Sequence, residues 1–298
     1  MTLSDRNDTG LRVRRVGLLG AGVMGRGIAQ AVAAHGHEVI LVDLTEQILK
    51  EAMTHIARNL KALALMGGGR GPTPSQILAR ILSTTDPNAL ADTSIVIENV
   101  TETLEAKRGV YSALAELTAG DFIVGVNTST FPIAEIAAYT PFPERVIGIH
   151  FMNPAETKSV VEVIPAAKTS AQTLAAALDF LGAIGKSGIV VADAPGFVSN
   201  RILMLTINEA VKTVEASTAS AADVDRIFVG CFGHPMGPLA TADLIGLDTV
   251  LLSLESLQSR FQDRKYEPAV LLRALVHENR LGRKSNHGFF RYGEQGAR

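Results

Sequence analysis

Two residues of the chain combine a reactive side chain with an apolar setting, His150 and Glu162. His150 lies near the end of the apolar run 146–151, and Glu162 interrupts the apolar run 160–164. A buried carboxylate needs a polar partner, and so does a histidine in an apolar strand. We predict that the two side chains pair, which would hold the imidazole in one tautomer and stabilise its cation for general-base work. Taken alone on its strand, His150 would instead be a core histidine.

A glycine-rich turn near the amino end has the spacing of a dinucleotide site. Gly20, Gly22 and Gly25 follow the apolar run 16–19, and apolar residues at helical spacing come next. Such glycines permit a tight turn, a close approach to a pyrophosphate, and close packing of helix on strand. A second apolar run ends in Asp43, 23 residues after Gly20, where an acid can hydrogen-bond a ribose 2′-hydroxyl. The alternative interpretation of the glycines is a flexible loop, which would not require a strand before them, a helix after them and an acid at the end of the next strand.

The order of the patterns predicts an α/β fold of the Rossmann type, with a doubly wound, mostly parallel sheet. Short apolar runs at 95–98, 123–126, 146–151, 160–164 and 188–191 alternate with helical patterns. Ligands of such sheets bind beyond the carboxyl ends of the strands. Four polar residues fall at or near such ends: Glu102, Asn127, Ser129 and His150.

A helical arm is predicted after Asp43, at about residues 45–82. Its first helix ends at the glycine-rich tip 67–71. Thr73 then opens a second helix through Leu82, with a capping box and Pro74 at the first helical position. Either a plain surface excursion or an arm that closes on substrate fits this pattern.

The pattern changes at Asp193, which predicts a nucleotide-binding domain at 1–193 and an all-helical C-terminal domain at 194–298. A long helix is expected from Pro195 to about Ala216, and another at about 241–260. The first of these carries more apolar residues than one core face needs, which predicts a homodimer through the helical domain. A self-contained bundle is the alternative. The apolar residues are Val198, Ile202, Leu205, Ile207, Val211 and Val214.

Composition limits the class of protein. With 298 residues and 47% hydrophobic content, the chain can fill two cores, and its formal charge of −2 gives no general attraction to nucleic acid or anionic membrane. The single cysteine, Cys231, excludes an internal disulfide and fits a reducing cytoplasm. No apolar run reaches membrane-spanning length, and no metal-spaced Cys/His cluster occurs. We expect a cytoplasmic protein without a metal, and a disordered start at Met1–Gly10.

From about Arg14 onward, the chain resembles the 3-hydroxyacyl-CoA dehydrogenase family. The resemblance rests on several motifs in order: the glycine turn, Glu102 with Lys107, 127–129 (Asn-Thr-Ser), 150–154 (His-Phe-Met-Asn-Pro), Glu162, 195–201 (Pro-Gly-Phe-Val-Ser-Asn-Arg), 235–238 (Pro-Met-Gly-Pro) and 281–284 (Leu-Gly-Arg-Lys). A set of motifs in this order is far more specific than any one of them. The resemblance implies NAD as hydride acceptor and a helical domain that forms the dimer contact.

The resemblance also implies roles for individual residues. His150 would be the general base for the substrate hydroxyl, with Glu162 orienting it, while Ser129 and Asn200 would hydrogen-bond the reacting oxygen. Without the family, Ser129 would be a helix cap and Asn200 a polar residue on a helix. The remaining assignments place Glu102 and Lys107 beside the nicotinamide ribose, Met24 and Asn127 with the cofactor, and Asn153 with the substrate.

The chain departs from the family at the substrate end. Residues 155–159 read Ala-Glu-Thr-Lys-Ser where the family usually has apolar residues and proline, and Leu239-Ala240 stands where Phe-Glu is common. The short acyl group could therefore ride on coenzyme A, as in fatty acid metabolism, or on an acyl carrier protein, as in polyketide extender-unit biosynthesis. A non-catalytic structural relative is the alternative from another class, and retention of the polar site residues argues against it.

Overall fold

The computed structural model describes residues 15–66, 71–117, 122–129 and 131–293. Met1–Gly10, the tip glycines 67–69 and Arg70 lie outside the described residues. The chain divides into two compact units, the first ending at Asp193 and the second beginning at Ala194.

The first unit is built on one sheet, which eight strands form within the described residues. The strands are β1 (Arg15–Leu19), β2 (Glu38–Val42), β3 (Ile81–Thr84), β4 (Ile95–Glu98), β5 (Ile123–Val126), β6 (Val146–His150), β7 (Val160–Pro165) and β8 (Ser187–Val190). Their order across the sheet is β3-β2-β1-β4-β5-β6-β7-β8. The central strands are apolar on both faces because helices cover both, as parallel sheets require. The predicted Rossmann-type fold is confirmed.

Strand direction reverses once across the sheet. Strands β1 to β6 run parallel to their neighbours, whereas β7 is antiparallel to β6 and β8 is parallel to β7. The reversal places Glu162 of β7 directly opposite His150 of β6. Side chains that are directly opposite on antiparallel strands share one face of the sheet.

The helices of the first unit connect these strands. They are α1 (Val23–Ala34), α2 (Glu46–Met66), α3 (Pro74–Leu78), α4 (Leu104–Glu116), α5 (Ile133–Ala137) and α6 (Ala171–Ala183). Helix α1 packs Ile28, Ala29, Val32 and Ala33 into the core. Thr73 caps α3 with the predicted capping box.

The second half of the predicted arm is wrong. Helix α3 ends at Leu78 rather than at Leu82, and residues 81–84 form β3 at the edge of the sheet. Ile81 is buried and Leu82 is exposed, which is the alternation of a strand. The Arg80 guanidinium donates to the carbonyl of Ala33 at 2.8 Å and helps to fix the residue that precedes β3. The prediction failed because the adjacent apolar residues Ile81 and Leu82 also fit a continuation of the helical pattern.

The second unit is helical. Among residues 194–293 the helices are α7 (Ser199–Glu215), α8 (Ala221–Phe232), α9 (Pro238–Ile245), α10 (Leu247–Phe261) and α11 (Val270–His277). Two predicted bounds change. The helix expected from Pro195 begins at Ser199, because Gly196 and Phe197 take positive φ values of 72° and 49°. The helix expected at 241–260 is interrupted at Gly246, where φ is 105°.

Buried carboxylates join parts of the second unit. Asp243 accepts hydrogen bonds from the backbone of Phe289 and Phe290 and from the Tyr292 hydroxyl. Asp225 accepts from the backbone of Leu239 and Ala240 at the start of α9. Burial raises the pKa of Asp225, and these two backbone donors oppose that shift. Across the described residues of both units, the helices fall short of the length and apolarity that crossing a membrane demands.

Candidate active site

The predicted pairing of His150 and Glu162 is present in the structure. His150 Nδ1 lies 2.8 Å from Glu162 Oε2, and the two residues are only 4% and 7% exposed. Because a carboxylate can only accept, Nδ1 carries the ring proton and donates it. The other nitrogen, Nε2, is then an acceptor, as a general base must be. It lies 3.1 Å from the hydroxyl oxygen of Ser129.

Ser129 is positioned by Glu102. The Ser129 backbone N–H donates to Glu102 Oε1 at 3.1 Å, and the Thr128 hydroxyl donates to the same oxygen. Since Thr128 and Ser129 follow β5 and Glu102 follows β4, this contact ties together the ends of two neighbouring strands. Glu102 Oε2 lies 3.4 Å from Lys107 Nζ.

Lys107 is fully buried. Its ammonium donates to both carboxylate oxygens of Glu98, at 3.1 and 2.8 Å, and its side chain has no exposed surface. Its assignment to the cofactor stays a prediction. The sequence analysis missed Glu98, although a charged residue at the end of an apolar strand was a visible signal.

Asn127 joins three strand ends. Its amide nitrogen donates to Asn99 Oδ1 at 2.8 Å, and its amide oxygen accepts from the backbone N–H of Phe151 at 3.0 Å. Phe151 directly follows His150, so Asn127 helps to fix the backbone that carries the imidazole. Its predicted contact with the cofactor remains a prediction.

The glycine turn fits a dinucleotide. Gly20 takes a φ of 92°, which glycine adopts without strain, and its N–H donates to the carbonyl of Val42 at 2.8 Å. Helix α1 begins next, and its N-cap, Gly22, supplies no capping side chain. A side chain at Gly22 would meet no atom within 4 Å, whereas at Gly25 it would overlap the Gly20 carbonyl. An open approach to uncapped helical N–H groups suits a pyrophosphate.

Asp43 lies at the end of β2 beside this turn. One carboxylate oxygen accepts from the N–H of Ala21 at 2.6 Å, and the other accepts from the N–H of Leu44 at 2.7 Å. The carboxylate is therefore held in place next to the glycines, and Asp43 is half-buried. Met24, in the first turn of α1, is also half-buried. Their cofactor contacts remain predictions.

Asn153 and Asn200 are the two remaining predicted site residues. Asn153 is exposed and precedes Pro154, to which it is joined by a cis peptide bond. Asn200 is the second residue of α7 in the second unit and is half-buried. Their substrate contacts also stay predictions.

A cavity of about 520 Å³ opens between α1, α2 and the loop after β6. Asn59 Nδ2 crosses one wall, donating to Gln30 Oε1 and to Glu156 Oε1, both at 2.9 Å. The cavity also receives the side chains of Arg26 and Arg58. The sequence analysis missed Gln30 and Asn59, although Gln30 is the one polar residue in the apolar run 28–33.

Lys186 fixes the loop that carries Glu156. Its ammonium donates to the carbonyls of Ala155 and Lys158, both at 2.7 Å. Burial lowers the pKa of Lys186, and the nearby Glu156 charge opposes that shift. Among the residues that the structure describes, no group of three or more metal-binding side chains occurs.

Comparison with known proteins gives a consistent result for both units of the chain. Residues 15–194 match the family described as "3-hydroxyacyl-CoA dehydrogenase, NAD binding domain", and residues 196–292 match "3-hydroxyacyl-CoA dehydrogenase, C-terminal domain". The chain is similar to 3-hydroxybutyryl-CoA dehydrogenase of Clostridioides difficile, at 39% identity over 93% of this chain and 99% of that one.

Two solved structures show the same likeness. The first is (S)-3-hydroxybutyryl-CoA dehydrogenase PaaH1 of Ralstonia eutropha, with a TM-score of 0.87 and 38% identity, over 95% of this chain and 100% of that one. The second is FadB2 of M. tuberculosis, with a TM-score of 0.91 and 34% identity, over 94% of this chain and 99% of that one.

The setting of Asp43 leads to a prediction about cofactor choice. The protein should bind NAD more tightly than NADP, because a fixed carboxylate repels a 2′-phosphate and cannot hydrogen-bond it. Replacing Asp43→Asn should reduce the NAD-to-NADP affinity ratio by about tenfold or more, since like charges brought together cost several kcal/mol. Isothermal titration with both cofactors measures this ratio. The control is Glu46→Gln, an exposed charge at the start of α2, and an unchanged ratio in Asp43→Asn would contradict the assignment.

Proposed function

The chain belongs to the 3-hydroxyacyl-CoA dehydrogenase family, and we propose that it oxidises the 3-hydroxyl of a short 3-hydroxyacyl-CoA thioester, reversibly, to the 3-oxo group. It is an NAD-dependent oxidoreductase. The observation that carries the proposal is the buried relay in which Glu162 accepts from His150 Nδ1 while His150 Nε2 faces the Ser129 hydroxyl.

The relay accounts for the proton of the reaction. When C3 gives up its hydride, the C3–O bond becomes a double bond and the hydroxyl proton must leave. Neutral His150 accepts this proton at Nε2, and the charge of Glu162 stabilises the imidazolium that forms. In the reductive direction the same imidazolium returns the proton to the oxygen.

Ser129 would hold the reacting oxygen in place. Its hydroxyl lies within hydrogen-bond distance of His150 Nε2, so a substrate hydroxyl bound beside both groups would meet the base and a donor together. We expect Asn200 to donate to the same oxygen, as the family resemblance implies. Bound NAD supplies the hydride acceptor, while Asp43 and the glycine turn fix its adenosine half.

Removing the base should abolish most turnover. His150→Ala should lower kcat by about 10²- to 10⁴-fold, the usual contribution of general-base catalysis. Glu162→Gln should also lower kcat, because it removes the charge that stabilises the imidazolium. The affinity for NAD should stay nearly unchanged in both variants. Steady-state formation of reduced nicotinamide, with NAD binding measured separately, tests both statements.

A matched histidine provides the control. His277→Ala, at the exposed end of helix α11, removes an imidazole outside the relay and should leave the chemical step intact. Near-normal turnover in His150→Ala would return His150 to the role of a core histidine and would contradict the proposal.

The cavity beside α2 favours a short, polar acyl group. Its wall carries the Gln30–Asn59–Glu156 hydrogen bonds, so an alkyl chain placed there would remove Glu156 from water without replacing its lost hydration. A fatty chain gains affinity only when its methylenes are buried in apolar surroundings, at about 0.8 kcal/mol each. A small hydroxylated acyl group would instead find hydrogen-bond partners.

Turnover should therefore fall with acyl length. We expect kcat/KM to decrease from four to ten carbons, and Glu156→Leu to raise kcat/KM for ten carbons relative to four. Glu51→Leu, an exposed change on α2, is the control. A wild-type kcat/KM that climbs with chain length would refute the role of Glu156. The same screen with coenzyme A and acyl-carrier-protein thioesters distinguishes the two carriers, for which Arg58 and Lys61 offer the same cations.

We also propose that the protein is a homodimer through its helical unit. Several large apolar side chains of α7 and α8 are exposed: Ile202, Ile227, Val229 and Phe232. Large apolar side chains left exposed in this number favour an interface. Val198, just before α7, is also exposed, whereas Ile207 and Val211 fill the unit's own core.

Light scattering should give twice the 31.6 kDa chain mass. Phe232→Asp should shift the mass toward the monomer at micromolar concentration, because a charge at a buried contact is costly. Leu82→Asp introduces the same charge at an exposed position of the first unit and should not change the mass. A monomeric wild-type protein would overturn the proposal.

A further inference from the structure

Behind the active site lies a buried ionic cluster that the proposed reaction does not use directly. Glu98 and Lys107 have no exposed side-chain surface, and Tyr111 is fully buried as well. Glu98 Oε1 accepts from Lys107 Nζ and the Val100 N–H, at 3.1 and 2.8 Å. Glu98 Oε2 accepts from Lys107 Nζ and the Tyr111 hydroxyl, at 2.8 and 3.2 Å.

The hydrogen bonds show which charge state of Glu98 the site favours. All of the polar contacts just described bring donors to the carboxylate, so an ionised Glu98 satisfies every one of them, whereas a protonated one would lose an acceptor. Burial raises the pKa of Glu98, and the Lys107 ammonium opposes that shift. The Tyr111 hydroxyl stays a donor, because burial raises its pKa well above the usual value.

The cluster connects to the active site through one carboxylate. Lys107 Nζ lies 3.4 Å from Glu102 Oε2, and Glu102 Oε1 accepts from the Ser129 backbone and the Thr128 hydroxyl. Ser129 in turn places its hydroxyl 3.1 Å from His150 Nε2. The contacts therefore run without a gap from Glu98 to the catalytic imidazole.

We propose that Glu98 is a positioning residue for the oxidation. It fixes the Lys107 ammonium, through which Glu102 is held in the orientation that anchors the Thr128–Ser129 segment. This anchor sets the position of the Ser129 hydroxyl relative to His150. The inference rests on the proposed function of Ser129 and His150.

Stability alone does not account for the pair. Replacing a buried ion pair by apolar residues of similar volume is often neutral or stabilising, because both charges must be removed from water. An apolar pair would fill the same space, yet it would offer Glu102 no cation. The Lys107–Glu102 contact is therefore the part of the cluster that an apolar core could not supply.

A double-mutant cycle tests the inference. Glu98→Gln keeps the side-chain shape but leaves Lys107 with Glu102 as its carboxylate partner, which draws Glu102 away from the Thr128–Ser129 segment. The kcat should fall by about 10- to 10²-fold, as a shift near 1 Å at a reacting group can produce. In a Ser129→Ala background, Glu98→Gln should lower kcat by less than about twofold, because effects through one contact are not additive.

Turnover is expressed per NAD-binding site, so that loss of folded protein does not imitate loss of catalysis. Tyr111→Phe, which removes one donor to Glu98 with little change of shape, serves if Glu98→Gln does not fold. Tyr111→Phe should lower kcat by less than Glu98→Gln does, and this loss should also disappear when Tyr111→Phe is combined with Ser129→Ala. Glu38→Gln removes an exposed, Arg15-paired carboxylate at the opposite end of a strand and is the matched control.

The outcomes separate the inference from the proposed function. If Glu98→Gln lowers kcat equally with and without the Ser129 hydroxyl, Glu98 is not a positioning residue. The proposed function would be unaffected by that result. Wild-type turnover by Ser129→Ala would overturn the proposed role of Ser129 and the inference with it.

Discussion

The register between β6 and β7 is the constraint on which the proposed chemistry depends. His150 and Glu162 can share a short, buried hydrogen bond because their strands are antiparallel and the two residues are directly opposite. A slip of one residue would turn Glu162 to the other face of the sheet and leave two buried polar groups without each other. The one reversal of direction among the described strands therefore coincides with the proposed base and its orienting acid.

Apart from Asn200 of α7, the other predicted site residues come from the parallel part of the sheet. The carboxyl ends of β1, β2, β4 and β5 meet at one edge, and each continues into a polar segment: the glycine turn, Asp43, the stretch from Asn99 to Glu102, and the stretch from Asn127 to Ser129. Side-chain hydrogen bonds then join neighbouring segments, as Asn127 does with Asn99 and Glu102 with Ser129. Strand order thus brings the segments together, and these polar contacts set the distances within them.

The fold, the glycine turn and the His150–Glu162 pair could be predicted from the sequence. Periodicity is a local signal, and so is a charged residue in an apolar strand, which needs a partner. It failed where one segment satisfied two patterns, as at Ile81-Leu82, whose adjacent apolar residues fit the end of a helix as well as a short edge strand. It also missed the partners of Glu98 and Glu156. Lys107 is nine residues from Glu98 but belongs to helix α4, and Asn59 of α2 is 97 residues from Glu156, so the packing of these helices makes both contacts. Pairings of this kind depend on tertiary structure that a pattern along one chain does not contain.

The two hydrogen bonds from Lys186 to the loop after β6 have an evolutionary consequence. Lys186 holds this loop by the main-chain oxygens of Ala155 and Lys158, so the path of the loop does not depend on which side chain residue 156 carries. Mutations at that position can accumulate while the backbone beside His150 keeps its course. Residue 156 is thereby open to substitution during divergence, and the substrate preference proposed for Glu156 could change between related enzymes without a change in the backbone that carries His150.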